Sequence, residues 1–571
     1  MSDSTPGRIS SSLMRAGAVL HRNRVTVGRL IYCGIAGWIF VWATITRFAL
    51  PLDPLADPDV AGYLGPALSK LNGGPFTHVG GLNFLYPGAL FLILGAVRDF
   101  RAIVVVQHLL GLSAGGFFLM AWNRLHSLSP TRRIGRIPHQ AIGLLGAAIL
   151  LLSNQPVLLE LGLRSDAVCL FFQSLTLWLT LEFFHSRLIL REGSRAVTYG
   201  CAAVASAWLL TSLKPSFLLF AILTIGIVSV IMSGLRKPRL QLVFGVTSLA
   251  IILAIVLPDQ FLRRSDPTSR RFLTATLFTV HAKLIHTQIE KDLQSGETGE
   301  YSPAWLRRVA RELEQKLAQT HARYPMQFRS LGFQPDWVLN GPDGLFAPWA
   351  QELGGEEPLL KFLRCYYWRA LLHQPWAFVR KVAFQMSIFY RRPVPAFSTH
   401  RTLPLAPTYY LQSRAALGRP SMLAMLRVQD FSRAYLSRID ALSRSVSSIR
   451  ENDGIYRLNI RLAQGYCLVC LTGGLVALWL LFHRTGSPGS IAAPLLTIFL
   501  CLPNLANTFG IAVIHTMDVG RYSQVQFGAA LFVELWILRW LVDLVLSTTT
   551  RFPMWTSAAR IPPIPRGLAP K

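Results

Sequence analysis

Acidic residues are scarce in this chain. Its 571 residues include 29 Asp and Glu against 57 Lys and Arg, for a formal net charge of +28. Charge of either sign is thin, at 15% of residues, where ordinary soluble domains carry about 25%. That shortage excludes a soluble enzyme of the usual kind and a charge-swollen disordered scaffold. Cysteine is also sparse, with seven residues. Cys33, Cys169, Cys201, Cys467, Cys470 and Cys501 sit in apolar runs, and Cys365 alone lies elsewhere. No disulfide framework of a small secreted fold is encoded. Cys467 and Cys470 have redox or metal spacing but no His or carboxylate beside them, which fits two small buried side chains. The chain shows no internal repeat and no low-complexity tract. Its first apolar run, ending at Leu50, is too long for the core of a signal peptide and reads as an uncleaved anchor.

Apolar length is what the chain has. The apolar set makes up 51% of it, and mean hydropathy is +0.38. Runs near the roughly 20 residues that cross a bilayer fall at 26–50, 102–122, 140–154, 168–185, 196–213, 216–233, 240–257, 460–482, 489–513 and 526–547. The stretch 82–97 is short, and Pro87 and Gly88 interrupt its start. If it does not cross, the basic segments fall on one side: the N-terminus, 124–136 with Arg132 and Arg133, 187–195, 236–239, His483-Arg484 and the tail with Arg551, Arg560, Arg566 and Lys571. That is the positive-inside pattern. The reading is an all-α polytopic membrane protein of about ten spans, with both termini cytoplasmic and 82–97 in the outer interface. The layout suits a bacterial inner membrane. Basic residues scattered between spans point to anionic lipid surfaces and not to nucleic acid. The parts are a basic N-terminus (1–25), a seven-span core (26–257) with outer loop 51–101, a large outer loop (258–459), three further spans (460–547) and a Pro-rich disordered tail (548–571).

The large loop carries helical signals. Ser302-Pro303 opens a helix with a capping residue and Pro at the first position. Trp305, Val309, Leu313 and Leu317 give it one apolar face. A second helix runs from Pro358 to Gln374-Pro375. Residues 376–390 read as an interfacial helix, with Arg380 and Lys381 inside the run. Residues 424–449 repeat apolar side chains at 3/4 spacing, from Ala424 to Ile449. Arg427, Arg433, Arg438, Arg444 and Arg450 fall mostly off that stripe. This is an amphipathic helix whose basic flank meets headgroups or solvent.

Four places could carry chemistry. Asp53, Asp57 and Asp59 cluster directly after the first span. Clustered carboxylates suit a base or a cation site, and Asp-Pro steps equally start solvated turns. Arg164-Ser165-Asp166 places an acid at the edge of an apolar run, either as a site or as a helix N-cap. Lys214-Pro215 puts an ammonium between two apolar helices, where it binds an anion or snorkels to headgroups. Arg521-Tyr522 follows His515-Thr516-Met517-Asp518 in a short outer loop, where an arginine fork suits phosphate. Under one topology Asp59, Asp166, Lys214 and Arg521 share the outer interface. Carboxylates that activate a nucleophile, with cations that hold a phosphate, make a coherent transferase site.

This order of motifs resembles the GT-C superfamily of membrane glycosyltransferases, in particular the aminoarabinose transferase and protein O-mannosyltransferase group. An acid soon after the first span and four residues before a tyrosine is matched by Asp59 and Tyr63. Tyr86-Pro87 resembles the family's Tyr-Pro juxtamembrane helix. Arg164-Ser165-Asp166 matches an Arg-x-Asp before the fourth span, and Leu213-Lys214-Pro215 a Leu-x-Lys-Pro-like step after the fifth. Arg521-Tyr522 is similar to a late Arg-Tyr, and His373-Gln374-Pro375 to a His-x-Pro before an interfacial helix. Many members have Asp-Glu in the first loop. Here Val60 follows Asp59, which speaks against a divalent-cation role and leaves open whether Asp57 substitutes.

The resemblance implies a polyprenyl-phosphate-linked sugar donor and a lipid, glycan or protein acceptor. Asp59 would be the base, with Asp166 and Asp57 in support. Lys214 and Arg521 would bind the donor phosphate. Tyr63, Tyr86, Arg164 and Tyr522 would shape the substrate site, with Gly73, Gly74, His78 and Asn83 on the acceptor side. A transporter of lipid-linked sugars is the competing reading, for which Glu534, Asn504 and Asn507 inside late spans speak. An oligosaccharide ligase or polymerase is a third.

Overall fold

Apolar length decides the architecture. The computed structural model describes residues 7–76, 82–129, 133–235, 237–265, 268–324, 328–341, 343–445, 448–483 and 492–549. Among these, eight helices are long and apolar enough to cross a membrane: Val27–Phe48, Arg101–Leu128, Asp166–Ile189, Gly193–Leu213, Pro215–Ser233, Pro238–Arg264, Asp453–Phe482 and Ala492–Ile514. The pair Arg136–Leu152 and Asn154–Leu161, bent by 43°, makes a ninth if taken as one crossing. The chain is a mainly helical, multi-pass membrane protein. Helices suit lipid because each satisfies its own backbone hydrogen bonds.

The run 526–547 behaves differently from the other spans. It forms the helix Phe527–Thr549, but Glu534, Arg539 and Asp543 make it too charged for a lipid-facing crossing. All three are buried, so this helix packs within the bundle. The helix over 82–97 is Leu85–Val97, 13 residues long. At about 1.5 Å per residue it falls short of a bilayer core about 30 Å thick. Residues 1–6, His78, Arg132, Arg484 and the tail from 550 onward lie outside the described residues, as does the start of the run at 489.

The bundle has two chemically distinct ends. Asp166–Phe184 packs along Arg101–Leu128. At one end Arg124 Nε donates to Glu182 at 2.8 Å, close to the basic connections. Asp166 and Lys214 sit at the other end, which is the site end.

The expected single loop region 258–459 divides into three parts. Thr268–Val280, Ala282–Ser295, Pro303–His321, Phe346–Glu352 and Glu356–His373 close around their own core of Phe278, Ile285, Leu313, Trp349 and Phe362. Here Ser302 accepts the Trp305 N–H at 3.2 Å, as its sequence position indicates. Pro375–Phe389 then returns to the bundle and packs on Ala492–Ile514.

The third part, 402–450, folds over residues 51–101. The amphipathic helix expected over 424–449 is broken there. Pro420–Leu426 and Asp430–Leu442 are separate helices, divided at Gln429, which is extended. Ser448–Arg450 pairs antiparallel with Thr402–Pro404, placing Ile449 opposite Leu403. The basic flank is also less free than its pattern indicates. Arg438 donates to Asp53 at 2.7 Å and to Asp99 at 3.2 Å, and Arg433 and Arg444 pair with Asp430 and Asp440.

Candidate functional site

The turn after the first span sorts its acids into different tasks. Asp57 Oδ1 accepts the Asp59 N–H at 3.0 Å, a side-chain-built turn of the kind Asp favours. Its other oxygen faces Arg164 Nη1 at 3.3 Å. Burial pushes the Asp57 carboxyl above its usual range, opposed by Arg164 and reinforced by Asp59. Asp57 therefore shapes the turn. Asp59 is left at the N-cap of Val60–Leu71 with no capping bond of its own. Its side chain is 43% exposed and meets Arg521 Nη1 at 2.5 Å.

A second ion pair lies behind the first. Ser165 and Asp166 open the helix Asp166–Phe184, without a side-chain capping bond from Ser165. Asp166 Oδ1 accepts directly from Lys214 Nζ, and both side chains are nearly buried. Arg164 Nε stands 3.9 Å from Asp166 Oδ2. Lys214 is placed by the extended step between two spans. Gly510 lets the helix Ala492–Ile514 approach that step closely, since a Cβ there would meet the Ser216 carbonyl at 2.8 Å. Tyr522 joins the cations: Lys214 Nζ lies 4.9 Å and the Arg521 guanidinium 5.3 Å from its ring centre, within cation–π range. Three carboxylates, Asp57, Asp59 and Asp166, thus interleave with three cations, Arg164, Lys214 and Arg521.

Buried supports fix this cluster. Arg47 grips Glu160 through two bonds of 2.8 and 2.9 Å, and His108 Nδ1 meets the same carboxylate at 2.7 Å. Gln107 holds the Glu160 and Gly162 carbonyls. Leu55 exchanges backbone bonds with Leu161 and Leu163 at 2.7 and 2.8 Å, so the Asp57 turn and the Arg164 loop are tied together. The Arg521 loop is held from three sides. Gln173 donates to the Val525 carbonyl, and Gln526 to the Tyr522 carbonyl. Ser330 binds Asp518 and Thr516. Lys381 Nζ donates to the Ala512 and His515 carbonyls at 2.7 and 3.2 Å, satisfying the end of a helix. Burial holds the Lys381 ammonium down to about 7. Burial and the neighbouring Arg521 hold His515 at about 4, so its imidazole is neutral beside the guanidinium.

Sequence reasoning did not find Arg47, His108, Glu160, Lys381 or Ser330. Arg47, Glu160 and Lys381, charges inside apolar stretches, were the visible signals. Asp336 was missed as well. It lies on Pro335–Leu339, and the protein around it and the Asp59 carboxylate raise its proton affinity.

The other expected residues have structural partners of their own. Tyr63 is buried edge-on against Tyr86, with ring centres 5.4 Å apart. Burial pushes the Tyr63 hydroxyl up. The Tyr86 hydroxyl donates to Gln107 at 3.0 Å. Gly73, with φ of 85°, and Gly74 end the helix Val60–Leu71. Asn83 accepts from Arg263 at 2.6 Å. Gln374, after His373, donates to Gln288 and the Leu284 carbonyl. Asn504 Nδ2 donates to the Tyr466 hydroxyl at 2.9 Å, and Asn507 Oδ1 accepts from Ser216 at 2.6 Å. Among the described residues no three or more His, Cys, Asp or Glu side chains gather as a metal site.

Family models, curated proteins and solved structures give no match to this chain. The chemistry of the site therefore rests on its own geometry.

Proposed function

We propose that the chain is a membrane glycosyltransferase of the GT-C kind. It moves a sugar from a polyprenyl-phosphate donor to an acceptor hydroxyl at the outer face of the membrane. The observation that carries this reading is the pairing of a half-exposed Asp59 with Arg521, directly beside the buried Asp166–Lys214 pair. A base stands among cations able to hold a phosphate. The bundle ends also support it. The site lies opposite the basic connections, and the positive-inside rule puts those in the cytoplasm. Ten crossings then result, with the bent pair and Phe527–Thr549 each counted once. An outward site has no access to cytoplasmic nucleotide sugars, so a lipid-carried donor follows.

In the reaction Asp59 takes the proton of the acceptor hydroxyl. The oxygen attacks the anomeric carbon as the bond to the phosphate oxygen breaks. The departing polyprenyl phosphate keeps the electron pair, and attack from the opposite face inverts the anomeric configuration. Lys214 and Arg521 bind the phosphate and stabilise its developing charge. A donor phosphate competes for Arg521 and frees Asp59, so the donor binds before the base acts. Asp57 and Arg164 hold the turn, and Asp166 holds Lys214.

The test is a mass-spectrometric comparison of envelope lipids and glycans from cells lacking the protein, complemented with wild type or Asp59→Asn. A sugar lost in the deletion, restored by wild type and not by Asp59→Asn at equal membrane level, is the expected result. Full restoration by the variant removes Asp59 as base. It would favour a transporter of lipid-linked sugars, a reading to which the buried Glu534, with Oε2 unpartnered among the described residues, lends weight.

A further inference from the structure

The helical part formed by residues 268–373 has a half-open pocket of about 290 Å³. Its volume falls just below that of ligand pockets, which run from about 300 to 1,000 Å³. Helix Thr268–Val280 supplies Arg271, Phe272, Thr276 and Thr279, while Asp336 and Asn340 come from the facing segment. One positive and one negative side chain leave the lining neutral on balance. The polar groups are set in place. Arg271 Nη2 donates to Asn340 Oδ1 at 2.5 Å, and the Arg271 guanidinium lies 3.4 Å from the Phe346 ring centre. Among the described residues Asp336 has no ion pair, and its side chain is open to the pocket. Phe272 is 50% exposed and offers an apolar ring face.

A fixed guanidinium, a carboxylate, an amide and two hydroxyls around one aromatic ring are suited to a neutral ligand dense in hydroxyl groups. The carboxylate accepts from adjacent hydroxyls, the guanidinium donates to them, and the ring covers the C–H face of a sugar. An acyl chain would leave the charged pair unmatched. The helical part also meets the loop that carries Arg521: Val519 packs against its core, and the Ser330 N–H donates to Asp518 at 2.6 Å.

We infer that this pocket is the acceptor subsite and that the acceptor is a carbohydrate, with one sugar unit held by Asp336, Arg271 and Asn340 so that a hydroxyl is presented to Asp59. This rests on the transferase reading and adds the acceptor class to it.

The experiment uses the purified full-length protein in detergent. The probe is the pool of fluorescently labelled oligosaccharides released from the envelope of the cells that make it. Wild type is expected to retain a defined subset of the pool. Asp336→Ala should lower that retention about tenfold or more, with an unchanged thermal midpoint because the side chain is open. Phe272→Ala, a second variant on the opposite wall, should lower it as well. No retention by wild type, or equal retention by Asp336→Ala and wild type, overturns the inference. The two readings fail separately. Retention that depends on Asp336 in cells whose envelope sugars do not depend on Asp59 leaves the carbohydrate pocket standing and removes the transferase. An Asp59-dependent sugar with no Asp336-dependent retention does the reverse.

Discussion

Asp57, Asp59 and Asp166 are alike as sequence signals and unlike as side chains. Asp57 spends one oxygen on the Asp59 N–H and the other on Arg164. Asp166 is buried against Lys214, whereas Asp59 is open and paired with Arg521. The two ion pairs should respond to mutation in opposite ways. Lys214→Ala strands a buried carboxylate, and removing one partner of a buried pair costs about 3–5 kcal/mol. Its thermal midpoint in detergent should fall clearly. Replacing both partners, as in Asp166→Asn with Lys214→Gln, should recover most of that loss but not the activity. Arg521→Ala breaks an open pair, worth about 0–1 kcal/mol, so its midpoint should stay near wild type. Sugar transfer should still fall by about a hundredfold or more, as when a charge-stabilising donor is removed. Equal stability losses in the two single variants would refute this division. Neither pairing was readable from spacing. Asp59 and Arg521 are 462 residues apart, and the residue types suggested a shared site only through the topology.

Elements show where periodicity informs and where it stops. The spans were legible because lipid imposes one rule along about 20 residues. The segment 424–449 was not. Its 3/4 spacing is real, yet Tyr435 and Ile439 pack on the first loop while Ile449 sits in a strand. Periodicity reports which side chains want burial, not whether the backbone between them is continuous. The bend at Ser153 is another feature set by distant partners. There Glu451, 2% exposed, accepts from the Asn154 N–H at 3.2 Å and from Asn459 at 2.9 Å. Burial, opposed by those bonds, raises the Glu451 carboxyl to about 7. The folded state therefore holds a proton that the unfolded chain releases at the ordinary carboxyl value, near 4.5. Where the folded state binds more protons, stability falls as pH rises. The contribution is fully present below about 4.5 and is lost as pH passes through about 7. The thermal midpoint should decline between pH 5 and pH 8 by more in wild type than in Glu451→Gln, which cannot ionise. Parallel profiles would show that Glu451 is not the group responsible.

At the scale of the molecule, every chemical argument depends on which side the site end faces. The proposal above has it face outward, and one residue can test that. Cys365 lies in Glu356–His373, within the helical part that packs around Trp349 and Phe362, and it is exposed. Cys33, Cys169, Cys201, Cys467, Cys470 and Cys501 all lie in helices apolar enough to cross the membrane. A thiol reagent that cannot cross the membrane should therefore label the intact protein at one position. In sealed right-side-out membrane vesicles, labelling should proceed without detergent and vanish in Cys365→Ser. Labelling only after lysis would put 268–373 and the site end in the cytoplasm. The +28 charge would then need another explanation than the positive-inside rule. Nucleotide sugars would become reachable, and the argument for a lipid-carried donor would lose its premise even if Asp59 remained the base. Topology is thus the cheapest measurement that can separate the chemistry of the cluster from the identity of its donor.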